Sequence, residues 1–267
     1  MKTGKKIFLL TALTLLFLMG MSTGVFAKDV TLKAGKWVTG TTCEKEDDNT
    51  YYKISIPKTG YIRVDYQLGA ESLADGEIYL YDSKKKMLSV SETEDGPVCF
   101  ALRKGTYYIQ SRDTGEWDEE SEDNRFLGET YRLRYKFTSY KEQGKKVTKL
   151  SKAPLLKKNR TVKGLIFPGE AKEDSSTCAA LYKIKVPQTS KVTFNMTLGC
   201  TNNAGSDIVI TLLDAKGRRL YNGRYDKKKY TSYETGKETV KLSAGTYYIR
   251  VDQFFVESSG YYSISWK

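Results

Sequence analysis

Histidine is absent from the 267 residues of this sequence, and cysteine and proline are scarce, with four and five residues. Without histidine the chain has no Ser-His-Asp or Cys-His catalytic arrangement and no imidazole ligand for a metal. No C-x-x-C pair occurs, which argues against a zinc site, and phosphate-binding and Gly-rich dinucleotide motifs are missing as well. Paired carboxylates remain as catalytic candidates, but they occur in polar clusters. The sequence therefore favours a protein that is not an enzyme.

A long apolar run occurs at the N-terminus, from Ile7 to Met21. It follows three lysines and precedes the small-residue site Val25-Phe26-Ala27, which is the arrangement of a secretory signal peptide. The run is shorter than the roughly 20 apolar residues that span a membrane. We therefore expect residues 1–27 to be removed. The mature protein is then secreted and extracellular, without a transmembrane anchor, and the cell wall is a candidate location.

The four cysteines are even in number, and an oxidising compartment would allow two disulfides. Four cysteines permit three connectivities, which their positions alone do not resolve. A hairpin turning about 188–189 would bring Cys178 nearly opposite Cys200. We therefore predict Cys178–Cys200 and, within the first half of the chain, Cys43–Cys99.

Five blocks of the first half recur in the same order in the second half. They pair 32–40 with 156–164, 52–57 with 182–187, 80–84 with 212–216, 105–109 with 245–249, and 131–135 with 262–266. A repeat of about 120 residues indicates two domains of one fold, because solenoid repeats are 20 to 50 residues long. We predict a first repeat over 28–141, a linker over 142–151 and a second repeat over 152–267.

Apolar and polar residues alternate within each repeat. Val192, Phe194 and Met196, for example, alternate with Thr193 and Asn195. This period of two is typical of strands with one buried face, and turn residues separate the strands. The sequence therefore predicts an all-β protein of two tandem jelly-roll-like antiparallel β-sandwiches. In the second repeat the register places these residues in the core: Tyr247, Ile249, Val251, Tyr262, Ile264 and Trp266. It places these in water: Lys183, Lys185, Arg250 and Ser263.

Four blocks of the second repeat resemble a known family. They are the strand 182–187, the segment 208–217, the block 242–251 with its Ala-Gly-Thr-Tyr-Tyr run, and the last strand 260–266. They resemble the bacterial pre-peptidase C-terminal domain, a small jelly-roll-like sandwich similar to the collagen-binding modules of bacterial collagenases, which use calcium. The resemblance implies a non-catalytic extracellular binding or accessory module.

An acidic run lies between two predicted strands of the first repeat. Its candidate calcium ligands are Asp113, Glu116, Asp118, Glu119, Glu120, Glu122 and Asp123. Calcium takes six to eight hard oxygens, which a flexible loop can supply, although this spacing is not that of an EF-hand. The alternative is a solvated acidic loop. Calcium is the one cofactor that the sequence suggests.

Charge is uneven along the chain. Residues 28–140 contain 17 Lys and Arg against 21 Asp and Glu, whereas residues 141–267 contain 24 against 11. A cationic cluster crowds a predicted hairpin of the second repeat: Arg218, Arg219, Arg224, Lys227, Lys228 and Lys229. Such a cluster attracts anionic polymers, although a solvated basic surface is the alternative. We expect an anionic partner to meet the second repeat first.

Tyrosine is abundant, with 20 residues. Strand parity places Tyr51, Tyr61, Tyr79, Tyr81 and Tyr108 away from the core, where sugars could stack on them; cross-strand pairing is the alternative. The favoured function is a secreted non-catalytic binding module for an extracellular glycan, a cell-wall polymer or a matrix protein. The alternative is a chaperone-like or structural accessory of a secreted peptidase encoded elsewhere. We expect no nucleic-acid partner.

Overall fold

The computed structural model describes residues 29–41, 50–68, 76–93, 98–113, 130–141, 147, 149–170, 177–199, 208–225, 233–253 and 256–267. Regular structure in these ranges is β-strand, apart from one turn of 3-10 helix at Leu150–Lys152. The all-β prediction is therefore confirmed. Within the described ranges, no helix has the length and apolar character needed to cross a membrane. The predicted signal peptide lies outside the described residues.

Nine strands form a first unit with two facing sheets. They are β1 Asp29–Thr31, β2 Val38–Thr41, β3 Tyr51–Ile56, β4 Gly60–Leu68, β5 Gly76–Tyr81, β6 Met87–Glu92, β7 Val98–Leu102, β8 Gly105–Asp113 and β9 Thr130–Ser139. One sheet has the order β1-β3-β8-β5-β6 and the other β2-β9-β4-β7. All pairings are antiparallel except that of β1 with β3.

Eight strands form a second unit of the same kind. They are β10 Thr161–Ile166, β11 Thr177–Val186, β12 Ser190–Gly199, β13 Ile208–Leu213, β14 Arg219–Tyr225, β15 Tyr233–Leu242, β16 Gly245–Gln253 and β17 Gly260–Trp266. The sheets have the orders β11-β16-β13-β14 and β10-β17-β12-β15. These orders match those of the first unit strand for strand. Even β1 has a counterpart, because Leu155 forms a single parallel bridge to Lys183. The exact limits 28–141, 142–151 and 152–267 stay predictions.

Each unit has its own apolar core between its sheets. Ile54, Ile62 and Phe100 are among the fully buried residues of the first core, and Ile184, Val251 and Ile264 are among those of the second. All six residues predicted to face the core of the second unit lie in or against it. Lys185 is exposed, and Lys183, Arg250 and Ser263 are half-exposed on outer faces. The predicted register is therefore confirmed.

The cysteine predictions do not agree with this topology. Cys178 lies in β11 and Cys200 follows β12, but these strands belong to different sheets, so the hairpin that placed the two cysteines opposite each other is wrong. Cys99 is buried and is a free thiol, so a bond to Cys43 is not present in this structure. Cys43 and Cys200 themselves lie outside the described residues.

The two units pack against each other through a mixed apolar and polar interface. Leu165 and Phe167 of the second unit are buried against Ala101 of the first. The Ala101 amide donates to Ser259 Oγ at 2.7 Å, and the Arg103 guanidinium lies 4.0 Å from the Phe167 ring centroid. Ser89 Oγ of β6 also donates to the Glu257 carbonyl at 2.8 Å, so the second unit contacts both edge strands, β6 and β7, of the first sandwich.

Candidate functional site

The outer face of the sheet β2-β9-β4-β7 carries four cations on its two central strands. Arg63 lies in β4, and Arg132, Arg134 and Lys136 lie in β9. They point outward because they alternate with core residues such as Val64 and Leu133. We call these four residues, together with Asp65 and Trp37, the basic face.

Among the described residues, Asp65 is the one carboxylate that pairs with cations of this group. Its carboxylate lies 2.7 Å from Arg134 Nε, 3.0 Å from Lys136 Nζ and 3.2 Å from Arg63 Nε. Burial alone would raise the pKa of Asp65, but the hydrogen bonds and charges of Arg134 and Lys136 hold it below its usual value. Asp65 thus offsets repulsion between Arg63 and Lys136, which are directly opposite across the two strands.

Trp37 orients two of the arginines. The guanidinium carbon of Arg134 lies 4.4 Å from the Trp37 ring centroid, and that of Arg132 lies 5.0 Å from it. Such cation–π contacts hold a flexible side chain at a small cost in desolvation. Among the described residues, Arg132 has no carboxylate partner. Arg132 is also exposed, so its charge can reach a ligand.

Replacing Asp65 with asparagine should destabilise the protein at pH 7 by about 1 kcal/mol, because several cations lose a charge-assisted partner. The pKa of Asp65 is lower in the folded state than in the unfolded state, where it is near 3.9. The stabilisation by Asp65 is therefore fully present above about pH 3.9, and it is lost as the pH falls through the folded-state pKa. Denaturant unfolding of both proteins from pH 7 to pH 3 should show the difference shrinking with acid.

The matched control for this prediction is Asp29→Asn. The Asp29–Lys85 pair is 2.8 Å long, but its side chains are 45% and 37% exposed, so its loss should cost less than about 0.5 kcal/mol. An Asp65→Asn effect that is no larger, or that does not depend on pH, would contradict the role given to Asp65.

The basic face was missed in the sequence because net charge was summed over the whole repeat. Fifteen of the 21 acidic residues in 28–140 lie outside the described residues, whereas only three of the 17 basic residues do. Strand parity could have found the face, since Arg132, Arg134 and Lys136 share one parity in β9. The net charge of −4 therefore says little about the sheet surfaces of the first unit.

The predicted cationic cluster of the second unit is partly neutralised. Arg218 Nε lies 2.7 Å from Asp214 Oδ2, although the Arg218 side chain remains 75% exposed. The hydrogen bond that the Arg218 backbone amide donates to Asp214 is the main cause of the lowered pKa of this carboxyl group. The side chain of Arg224 and all of Lys227, Lys228 and Lys229 lie outside the described part. Anionic-polymer binding by this cluster stays a prediction.

A buried carboxylate further reduces the free charge of this region. Asp252 is 3% exposed and accepts a hydrogen bond from Arg250 Nε at 2.7 Å. Burial raises the pKa of Asp252, while the charges of Arg250 and Arg219 oppose that rise. The charge of Arg219 therefore acts on this carboxylate as well, which a count of charges along the sequence does not reveal.

The candidate calcium site falls almost wholly outside the described residues. Asp113 ends β8, and its side chain is not described; Glu116, Asp118, Glu119, Glu120, Glu122 and Asp123 lie in the segment that follows. Within the described residues, no group of three or more acidic or cysteine side chains is arranged to hold a metal ion. Calcium binding by 113–124 stays a prediction.

The expectation of solvent-facing tyrosines is wrong for three of the five residues. Tyr51, Tyr81 and Tyr108 do point away from the core, but they pack edge to face on one another and are 8%, 2% and 8% exposed. Lys85 Nζ lies 4.3 Å from the Tyr51 ring centroid, and the Arg112 guanidinium lies 4.1 Å from that of Tyr79. The chain's own cations therefore occupy the ring faces that a sugar would need.

Lys85 reaches this position from an unusual backbone conformation. Its φ is +60°, in a turn where the Asp82 carboxylate accepts hydrogen bonds from the Lys84 and Lys86 amides. The equivalent turn of the second unit has Gly217 at φ +80°. A lysine in this conformation is sterically less favourable than a glycine. Its contacts with the tyrosines offset part of that cost.

Tyr61 also departs from the expectation. It is half-buried against the second unit, with its ring centroid 5.3 Å from that of Tyr261 and 6.3 Å from that of Tyr140. Tyr140 and Tyr261 stack with centroids 5.3 Å apart. Tyr61 and Tyr261 both occupy outward positions of their strands. The outer faces of the two sheets β2-β9-β4-β7 and β10-β17-β12-β15 therefore adjoin at these tyrosines.

No model of a known protein family matches the chain, and no curated protein matches it. Among solved structures, the pre-peptidase C-terminal domain of a collagenase from Bacillus anthracis is 18% identical, covering 43% of this chain and 95% of that one, with a TM-score of 0.30. The tandem CBM22 domain of Xyn10C from Paenibacillus barcinonensis is 8% identical, covering 87% and 91%, with a TM-score of 0.25. Tripeptidyl peptidase 2 is 12% identical, covering 89% and 24%, with a TM-score of 0.28. These similarities are too weak to carry a functional argument.

Proposed function

We propose that the protein is a secreted, non-catalytic binding module for an anionic extracellular polymer, either a glycan or a cell-wall polymer. The observation that carries this proposal is the basic face, where four cations lie on two adjacent strands and three of them, Arg63, Arg134 and Lys136, share the carboxylate of Asp65. The surplus of positive charge lies on a sheet surface and not on a flexible tail.

The exposure of the cations and the fixed positions of the arginines both favour binding at this face. The side chains of Arg63 and Lys136 are 51% and 53% exposed, so they can reach a ligand. Asp65 and Trp37 hold the arginines in place, which lowers the entropy lost when a polymer binds. Like charges held close together also repel one another, and an approaching polyanion relieves that repulsion.

The test is a charge reversal in the full chain. Arg132→Glu combined with Lys136→Glu should weaken binding to heparin and to polygalacturonate at least tenfold in a titration near 0.15 M salt. Binding of the unchanged protein should weaken steeply with added salt, because exposed charges are screened over about 8 Å at that ionic strength. Thermal unfolding of the variant establishes that it remains folded.

Lys53→Glu combined with Lys185→Glu provides a control with the same change in net charge. Both lysines are exposed, but they lie in β3 and β11, on the other sheet of each unit. This control should retain most of the binding. Equal losses in the two double variants would show that net charge alone governs retention. No binding of the unchanged protein to either polymer would reject the proposed function.

A further inference from the structure

The outer face of the sheet β10-β17-β12-β15 has small polar side chains along its middle and lysines along its sides. The two central strands present Ser263, Ser265, Thr193, Asn195 and Thr197, with the exposed Lys191 near the start of β12. The two edge strands present exposed lysines: Lys163 on β10, and Lys237 and Lys241 on β15. We call this surface the trough, with a floor on β17 and β12 and walls on β10 and β15.

The strand registers place the floor residues in rows. Ser265 lies opposite both Thr161 and Asn195, and Asn195 lies opposite Lys237. Ser263 lies between Lys163 and Thr197 in the next row. Three interstrand spacings make the trough about 14 Å wide from β10 to β15. It can therefore hold a single extended polymer chain between its lysine walls.

The floor has unused hydrogen-bonding capacity. The side chains of Ser263, Ser265, Asn195 and Thr197 have no hydrogen-bond partner among the described residues. The Thr193 hydroxyl, in contrast, pairs with that of Thr239 at 2.9 Å. A hydroxyl or amide can both donate and accept, so this floor suits a ligand that carries hydroxyl groups itself.

The described charged side chains of the trough are all cationic. Strands β10, β12 and β17 contain no acidic residue. Glu238 of β15, whose side chain is described, points to the inner side, where it lines a small cavity with Phe194 and Ile210. Lysines on edge strands also discourage the edges of other sheets from pairing with them, and this role by itself would account for the wall lysines. That role does not account for a polar floor without carboxylates.

The equivalent positions of the first unit show that the fold does not require such a floor. Where the second unit has Ser263 and Ser265, the first has Arg132 and Arg134 at the matching registers. Asp65 of the basic face likewise corresponds to Asn195. At these matching positions the first unit therefore carries charge, whereas the second unit carries small polar side chains, with its lysines on the edge strands and, at Lys191, near the start of β12.

We propose that the trough is a second binding site and that its ligand is an acidic polysaccharide. The wall lysines pair with the anionic groups of the polysaccharide, and the floor residues hydrogen-bond its hydroxyls. This inference rests on the proposed function and narrows its ligand from an anionic polymer to one with hydroxyl groups. The trough and the basic face adjoin at Tyr61 and Tyr261, so one chain of sufficient length can contact both.

The floor is tested with Asn195→Ala combined with Ser265→Ala in the full chain. Two probes are titrated: polygalacturonate, which carries carboxylates and hydroxyls, and inorganic polyphosphate, which carries charge without hydroxyls. The floor variant should bind polygalacturonate at least fivefold more weakly, because each lost hydrogen bond typically changes affinity by a few fold. It should bind polyphosphate within twofold of the unchanged protein.

The walls are tested separately with Lys163→Glu combined with Lys237→Glu, which alters exposed side chains only. This variant should weaken binding of both probes. If neither trough variant changes polygalacturonate binding while the Arg132→Glu, Lys136→Glu variant abolishes it, the trough inference is overturned and the proposed function stands. Equal weakening of both probes in the floor variant would also overturn the role of the hydroxyls.

Discussion

Replacing Phe167 with alanine should separate the thermal unfolding of the full chain into two transitions. Phe167 is 5% exposed and shares a buried cluster with Leu165 and Ala101, with the Arg103 guanidinium over its ring. Truncating a buried phenylalanine costs about 3–5 kcal/mol, and here most of that loss falls on the contact between the units. Differential scanning calorimetry would show the split. Hydrogen exchange would show faster exchange of the Ala101 amide, which donates to Ser259 in the intact interface.

Glu170→Gln is the graded control for this result. It breaks the ion pair with Arg103 at the same interface, a pair in which the two side chains are 28% and 49% exposed. A pair this accessible contributes less than about 1 kcal/mol, so unfolding should remain a single transition. If Phe167→Ala unfolds in one transition and leaves the Ala101 amide protected, the units are not coupled through this contact.

Replacing Gly164 with alanine should destabilise the second unit by about 1–3 kcal/mol or more. Gly164 lies in β10 directly opposite Tyr262, and an added Cβ would collide with the ring and hydroxyl of that tyrosine. Tyr262 is buried and its hydroxyl lies 2.8 Å from that of Tyr182, so it has little freedom to move aside. Chemical denaturation would measure the loss.

A second substitution can identify the cause of that loss. Gly164→Ala combined with Tyr262→Phe removes the hydroxyl that the new methyl group meets, and it should recover part of the stability relative to the sum of the two single changes. Strict additivity of the two effects would indicate that the collision is not the cause. The first unit has the same arrangement, with Gly40 against Tyr131 and Tyr52. Gly40→Ala should therefore destabilise the first unit in the same way.

Patterns of local sequence were the reliable guide to the fold. Alternation along β16 and β17 placed Ile249, Val251 and Ile264 in the core, because a strand has a side-chain period of two and a one-residue slip would reverse both faces. The recurrence of five blocks indicated two copies of one sandwich, because a repeated fold repeats its sequence requirements. The same core and turn positions have to be satisfied in each copy.

Local sequence patterns did not predict which strands pair with each other. β11 and β12 are consecutive and joined by a short turn, yet they enter different sheets, so neighbouring positions in sequence did not imply a hairpin at Cys178. A position on the outward face of a strand likewise did not imply that the side chain is exposed to solvent. Tyr51, Tyr81 and Tyr108 come from three different strands and cover one another only once those strands are aligned.

By itself, then, the sequence determined the all-β class, the tandem repeat and which residues of each strand face inward, because these properties depend on residues close together in the chain. Only the tertiary structure decided where charge is free to act. Asp214 pairs with Arg218 of the predicted cluster, and Asp252 pairs with Arg250 of the same unit. Arg63, Arg132, Arg134 and Lys136, in contrast, lie together on one face of the repeat with the lower net charge. Electrostatic interactions depend on distance in space, and strand order sets that distance.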